Sequence, residues 1–122
     1  MNKTKQNKTE QNKLVTLNLK EDFSNLKKNG NTFRPVSWAL FNYKKNIYTY
    51  SRFAWTIPSY LATAVIRNRL KRWCRTIAKE HKDLNNNDIN IVFLRQKKDF
   101  YKNLNYETFS SGLKKALQNI QK

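Results

Sequence analysis

The chain has 122 residues and a formal net charge of +17, because 25 lysines and arginines outnumber 8 acidic residues. Hydrophobic residues make up 39% of it and aromatic residues 13%, which suits one domain with a packed core and excludes a wholly disordered chain. The single cysteine, Cys74, excludes a disulfide framework, and the single histidine, His81, excludes a multi-histidine metal site and most Ser-His or Cys-His triads.

The charge predicts a polyanionic partner. Nucleic acid is the first candidate, because phosphate neutralisation releases counterions and supplies most of the affinity. No apolar run approaches the roughly 18 residues of a membrane span, and the N-terminus lacks the apolar segment of a secretory signal. We therefore expect a cytoplasmic nucleic-acid-binding protein. A merely solvated basic surface is the alternative, and the clustering of the charges argues against it.

The first predicted elements are a tail and a helix. Residues 1–13 are polar and basic without apolar periodicity, so we expect a disordered tail followed by one domain over 14–122. The pattern from Leu19 to Asn29 predicts a short helix, and Gly30 is expected to end it in the left-handed conformation.

Two alternating segments then predict a β-hairpin. The first strand spans Val36 to Tyr43 and the second spans Ile47 to Ile57, with a polar turn between them. Pro58 ends the second strand because it lacks an amide hydrogen, and Ser59 is placed to cap the next helix. One face of the first strand carries Ser37, Ala39, Phe41 and Tyr43.

The remaining pattern completes an α+β order. A long helix is predicted from Leu61 to about Glu80, and the apolar run Ile89 to Leu94 is typical of a strand covered on both sides. A helical turn near Phe100 precedes an amphipathic helix from Tyr106 to Ile120. The expected fold is a single-domain α-β sandwich with a small sheet, in the order helix, strand, strand, helix, strand, helix.

The long helix separates an apolar stripe from a cationic arc. The stripe contains Ala62, Ile66, Leu70, Trp73 and Ile77, with Cys74 at its margin. The arc contains Arg67, Asn68, Lys71, Arg72, Arg75 and Lys79, with Arg69 on the border. Arginine suits bidentate phosphate contacts, and Asn68 can bind a sugar hydroxyl or a base edge. An ordinary solvated face would pair its cations with acids at helical spacing, and Arg67, Lys71 and Arg75 have no such partner within residues 67–75. The pattern predicts RNA or DNA binding without deciding between them.

The same helix resembles a known family. Residues 64–75 read Ala-Val-Ile-Arg-Asn-Arg-Leu-Lys-Arg-Trp-Cys-Arg. They match every defined position of the motif Ala-Val-x-Arg-Asn-Arg-x-Lys-Arg-x-x-Arg of the bacterial ribonuclease P protein component. The resemblance runs from about Leu19 to Leu117. Matching residues upstream of the helix are Asp22, Phe23, Gly30, Arg52 and Ile57.

The resemblance implies a partner, a reaction and a topology. The partner is the large catalytic RNA that removes 5′ leaders from precursor tRNA, with one protein per RNA, and the topology includes a left-handed crossover into the basic helix. It implies that the catalytic RNA is bound by Arg67, Asn68, Arg69, Lys71, Arg72, Arg75 and Lys79. It also implies a cleft for the single-stranded leader, lined by Phe23, Ala39, Phe41, Tyr43, Arg52 and Thr56.

The chain departs from the family pattern at several positions. Ser59 and Tyr60 stand where many members have two lysines, so two phosphate-binding charges are missing there. Ala54 replaces a strand glycine, and Lys27 replaces an aromatic that is common one turn after Phe23.

The sequence contains no recognisable catalytic constellation, since its acids are scattered apart from Glu21-Asp22. The resemblance implies that Mg²⁺ held by the RNA and substrate carries out hydrolysis, with no dedicated protein metal site. Two alternatives remain. One is a non-catalytic module of ribosomal-protein type that binds structured RNA. A helix-turn-helix DNA-binding protein fits less well, because the basic helix follows a strand.

Overall fold

The computed structural model describes residues 14–81 and 86–121, so the predicted tail at 1–13 lies outside the described residues. They form one α+β domain with a five-stranded mixed sheet and four helices, which confirms the predicted class. The strands are β1 (Val15–Thr16), β2 (Asn31–Val36), β3 (Ala39–Lys45), β4 (Arg52–Thr56) and β5 (Asn87–Phe93). The helices are α1 (Lys20–Asn29), α2 (Ala64–His81), α3 (Phe100–Asn103) and α4 (Tyr106–Gln121).

The strand order is β1-β4-β5-β3-β2. β5 lies at the centre, antiparallel to β3 and parallel to β4. The predicted hairpin of two consecutive strands is therefore wrong, because β5 separates β3 from β4. The actual hairpin lies earlier, where a turn at Ser37–Trp38 joins β2 to β3 and Val36 pairs with Ala39. The predicted element order also omitted β1 and β2, whereas the helical turn expected near Phe100 corresponds to α3.

The sequence pattern concealed β2 because Pro35 interrupts it. Proline has no amide hydrogen and is tolerated mainly on edge strands. β2 is such an edge, since it lies at the end of the strand order formed by the described residues and pairs there with β3. The proline therefore removes no hydrogen bond that the sheet requires.

Gly30 follows α1 in an extended conformation, with φ −84° and ψ 169°. The predicted left-handed stop is wrong, and the need for glycine is steric. A Cβ atom at this position would lie 2.5 Å from the Leu26 carbonyl oxygen, 2.7 Å from Asn42 Oδ1 and 2.9 Å from the Tyr43 carbonyl oxygen. Gly30 thus allows α1 to pass closely over β3.

We expect Gly30→Ala to destabilise the domain by about 3 kcal/mol, because two of the atoms that its methyl group meets belong to the backbone and cannot rotate away. Gly112→Ala is the matched control. Its Cβ would meet the Val36 side chain at 3.0 Å on a helix, where alanine is favoured. Urea unfolding of both variants measures the difference, and equal stabilities would contradict the steric explanation.

The start of α2 also differs from the prediction. Ser59 opens a short 3₁₀ turn (Ser59–Leu61) that ends before the helix starts, so Ser59 is not the residue that precedes α2. α2 begins at Ala64, and Thr63 Oγ1 accepts the amide hydrogen of Ile66 at 3.4 Å. Thr63 therefore has the capping role that was predicted for Ser59.

The sheet is covered on both faces. One face, here called the core face, packs against α2 and α4, where the largest buried side chains are Phe41, Phe53, Phe93 and Phe109. The opposite face, here called the cleft face, is partly covered by α1 through a small apolar cluster. That cluster contains Leu17, Leu26 and Ala54, with Phe23 packed against it.

Tyr101 anchors α3 to the core. Its hydroxyl donates to the carbonyl oxygens of Leu94 and, at 3.1 Å, Trp38.

Burial raises the pKa of Tyr101 to about 12. The unfolded chain has a tyrosine pKa of about 10, so the stabilising contribution is complete below about pH 10 and is lost as pH rises towards 12. We expect the free energy of unfolding to fall across that window and to fall less steeply in Tyr101→Phe. Parallel slopes in urea titrations would contradict this.

Candidate nucleic-acid interface

The helix α2 buries one side and exposes the other. Leu70, Cys74, Ile77 and Ala78 are buried against the sheet. The exposed side carries Asn68, Lys71, Arg72, Arg75 and Lys79. The periodicity therefore orients the helix as the sequence predicted.

The exposed cations of α2 form no salt bridge with a carboxylate of the described residues. Among residues 14–81 and 86–121, Lys71, Arg72 and Arg75 form no salt bridge, whereas Glu80 on the same helix pairs with Lys114 at 3.4 Å. Arg75 lies over the Trp55 ring at 5.5 Å, which orients its guanidinium without cancelling its charge. The surface therefore keeps a field that attracts phosphate.

Two of the predicted RNA-binding arginines donate hydrogen bonds to backbone carbonyl oxygens of the protein. Arg67 Nε donates to the Ala62 carbonyl oxygen at 3.1 Å. A terminal nitrogen of Arg69 donates to the carbonyl oxygens of Tyr101 at 2.8 Å and Lys102 at 3.2 Å. The Arg69 guanidinium also lies 4.9 Å from the centre of the Trp73 ring. Arg69 consequently ties α2 to the carboxyl end of α3.

Strand register divides the predicted cleft residues between the two faces of the sheet. Ala39, Phe41 and Tyr43 pair with Phe93, Ile91 and Ile89, all on the core face. Ala39 and Phe41 are completely buried there, and Tyr43 packs against the same core. These three residues do not line the cleft, so their assignment was wrong. Alternation determines which residues of one strand share a face. The pairing of β3 and β4 with β5 determines which residues of those two strands lie on the same side of the sheet.

Arg52 and Thr56 do lie on the cleft face, since they pair with Asp88 and Val92. Thr56 Oγ1 donates to Asn90 Oδ1 at 3.1 Å. Phe23 of α1 is half-buried beside this face. The same face carries Leu40, Asn42, Asn90 and Val92.

The sequence pattern does not predict that Asn42 and Asn90 lie opposite each other on the cleft face. The sequence does contain a sign of a polar strand face, because Asp88 and Asn90 alternate with apolar residues at the period of two that is typical of a strand. Asn42 Oδ1 is buried and has no hydrogen-bond partner in the described chain.

Comparison with known proteins identifies the family. A family model described as Ribonuclease P matches residues 12–121. The chain belongs to the ribonuclease P protein family. It is thus the protein subunit of the ribonuclease P holoenzyme, which with its catalytic RNA matures tRNA 5′ ends.

Solved ribonuclease P proteins share the fold. The protein from Thermotoga maritima, in complex with 1-(4-fluorophenyl)-2-thiourea, is 25% identical with a TM-score of 0.75, covering 83% of this chain and 95% of that chain. The Staphylococcus aureus protein is 20% identical with a TM-score of 0.74, covering 88% of this chain and 96% of that chain, and supports the fold alone. No curated protein sequence gives a significant match.

In this ribonuclease P protein, Arg52 is part of a charged cluster. It donates to Asp88 through Nε at 2.8 Å and through a terminal nitrogen at 2.6 Å, and it lies 3.4 Å from Asp22 of α1. The hydrogen bond with Asp88 raises the pKa of Arg52 further above its ordinary value. Its guanidinium also lies over the Tyr48 ring at 4.8 Å. Arg52 therefore joins β4, β5 and α1 and is not a free phosphate ligand.

The surroundings of Cys74 and His81 fit roles in packing and not in catalysis. Burial raises the pKa of the Cys74 thiol, which keeps it protonated and unreactive. His81 Nδ1 lies 2.9 Å from the Ile77 carbonyl oxygen. Across the described ranges, no group of three or more His, Cys, Asp or Glu side chains is placed to hold a metal ion. No helix in those ranges is long and apolar enough to cross a membrane.

Proposed function

We propose that the exposed side of α2 binds the catalytic RNA of ribonuclease P. The observation that carries this is the set of cations on one helix side that no carboxylate of the described residues neutralises. Arg67 extends the surface, and Arg69 positions it by fixing α3 against α2. The direct ligands are Asn68, Lys71, Arg72, Arg75 and Lys79.

We also propose that the cleft face beside α1 binds the single-stranded 5′ leader of precursor tRNA. Phe23 offers a ring on which an unpaired base can stack irrespective of sequence. Thr56, Asn42 and Asn90 supply polar groups on the sheet. Arg52 supports this site by holding α1 to the sheet.

The protein would then position RNA and leave hydrolysis to Mg²⁺ held by the catalytic RNA and substrate. We propose one protein per RNA in a cytoplasmic holoenzyme. α2 connects the parallel neighbours β4 and β5. Following the family resemblance, we propose that this connection has the uncommon left-handed sense.

Reconstitution tests the overall function. The protein is mixed with a bacterial ribonuclease P RNA and precursor tRNA at low Mg²⁺, where positioning and charge screening by protein matter most. Stimulated cleavage at the 5′ end of the mature tRNA is expected. RNA binding without stimulation would favour a structured-RNA-binding module of ribosomal-protein type.

The leader site is tested separately with Phe23→Leu, which retains apolar packing and removes the ring. We expect affinity of the holoenzyme for leader-bearing tRNA to fall about 5- to 30-fold, because one stacking contact is lost. Affinity for mature tRNA, which has no leader, serves as the internal control. An equal loss for both substrates would refute leader contact by Phe23.

A further inference from the structure

A groove of about 710 Å³ lies between the N-terminus of α2 and the segment that joins β5 to α3. Its volume falls within the range of about 300–1,000 Å³ that is usual for ligand sites. One side is formed by Tyr60, Val65 and Ile66, which precede or begin α2. The charged residues that line it are Arg69, Arg95, Lys97, Lys98, Asp99 and Lys102.

The groove has a strong positive charge, since five of these side chains are cationic and one is acidic. None of the five forms a salt bridge with another described residue. Arg69 Nε is buried and has no hydrogen-bond partner among residues 14–81 and 86–121. The N-terminus of the 18-residue helix α2 adds a smaller positive field. Together these features favour an anionic ligand.

The groove also exposes apolar surface. Tyr60 is 65% exposed and Val65 is 78% exposed, although both are large apolar residues. The Arg95 guanidinium lies 4.9 Å from the centre of the Tyr60 ring, so an arginine–tyrosine stack already exists at the rim. A base could extend that stack on the exposed part of the ring. An acidic peptide would use the cations and leave the ring unused.

We propose that this groove binds an unpaired nucleotide of the catalytic RNA. The base stacks on Tyr60, and the phosphates on either side contact Lys97 and Lys98. The choice of the catalytic RNA over precursor tRNA rests on the proposed function of α2. Val65 lies three residues before Asn68 on α2, so an RNA strand along the exposed helix side reaches the groove directly.

Two variants test the two halves of the site in titrations of the full-length protein with a bacterial ribonuclease P RNA. Tyr60→Ala is expected to weaken binding about 5- to 100-fold with an unchanged salt slope, and Tyr60→Phe to stay within about two-fold of the parent. Lys97→Ala with Lys98→Ala is expected to reduce the salt slope by about two. The charge-matched control, Lys20→Ala with Lys115→Ala, removes two exposed lysines from α1 and α4 and should leave the slope nearly unchanged.

The same titrations with precursor tRNA alone identify the source of the nucleotide. Losses confined to the catalytic RNA support the proposal, and losses confined to precursor tRNA overturn it. If the parent protein binds the catalytic RNA and stimulates cleavage but Tyr60→Ala and the Lys97, Lys98 variant behave like the parent, the groove is not a site and the proposed function stands. If the parent protein does neither, the proposed function fails first.

Discussion

Replacing Lys71, Arg72 and Arg75 together by alanine is expected to lower affinity for the catalytic RNA about 100- to 1000-fold near physiological salt. All three side chains are exposed and lack carboxylate partners among the described residues. Each phosphate contact that is lost should reduce the slope of log affinity against log salt by about one, so the slope should fall by about three. Titrations at several salt concentrations measure both quantities.

The control for this variant removes the same charge from elsewhere. Lys20, Lys45 and Lys115 are exposed on α1, β3 and α4, and their joint replacement by alanine lowers the net charge equally. A similar loss of affinity in both variants would show that only net charge matters. Unchanged affinity in the α2 variant would remove this helix from the interface.

Arg52→Met is expected to destabilise the domain by about 2–4 kcal/mol. The methionine retains the apolar stem but leaves Asp88, whose side chain is 12% exposed, without its principal cation. Breaking a largely buried pair costs more than the pair contributes, because the remaining charge stays desolvated. The amide of Asn46 still donates to Asp88 Oδ1 at 2.9 Å, which keeps the cost below that of a fully unpaired charge. Urea unfolding at neutral pH measures the effect.

Two further variants separate the buried charge from general disruption. Arg52→Met combined with Asp88→Asn should recover more than half of the lost stability, because the carboxylate charge is removed. Lys114→Met breaks the exposed pair with Glu80, whose side chains are 41% and 49% exposed, and should cost less than about 0.5 kcal/mol. If Arg52→Met costs no more than Lys114→Met, the Arg52–Asp88 pair does not carry the stability assigned to it.

Arg69 illustrates how a correct helical position can conceal a different role. Its place on the wheel, at the border between apolar and cationic residues, was evident from spacing alone. That its guanidinium binds the carbonyl oxygens of Tyr101 and Lys102 was not, because those residues are 32 and 33 positions away in the chain. Only the packing of α3 against α2 brings these groups together.

The predicted leader cleft also shows the difference between what local spacing predicts and what contacts between distant segments determine. Ala39, Phe41 and Tyr43 were correctly grouped on one strand face, because side chains alternate within any single strand. They were assigned to the wrong side of the sheet, because β5 enters between β3 and β4 from a distant part of the chain. For the same reason Asn42 and Asn90 went unnoticed as neighbours, although Asn42 pairs directly with Asn90.

By itself the sequence determined the α+β class, the amphipathic helix α2 and its cationic side, and the family motif within that helix. These properties depend on residues within a few turns of one another, and local periodicity expresses them fully. Tertiary structure alone decided which strands are neighbours, which side of the sheet faces α1, and which cations remain unpaired. Those properties depend on contacts between distant segments, which are fixed when the whole core packs.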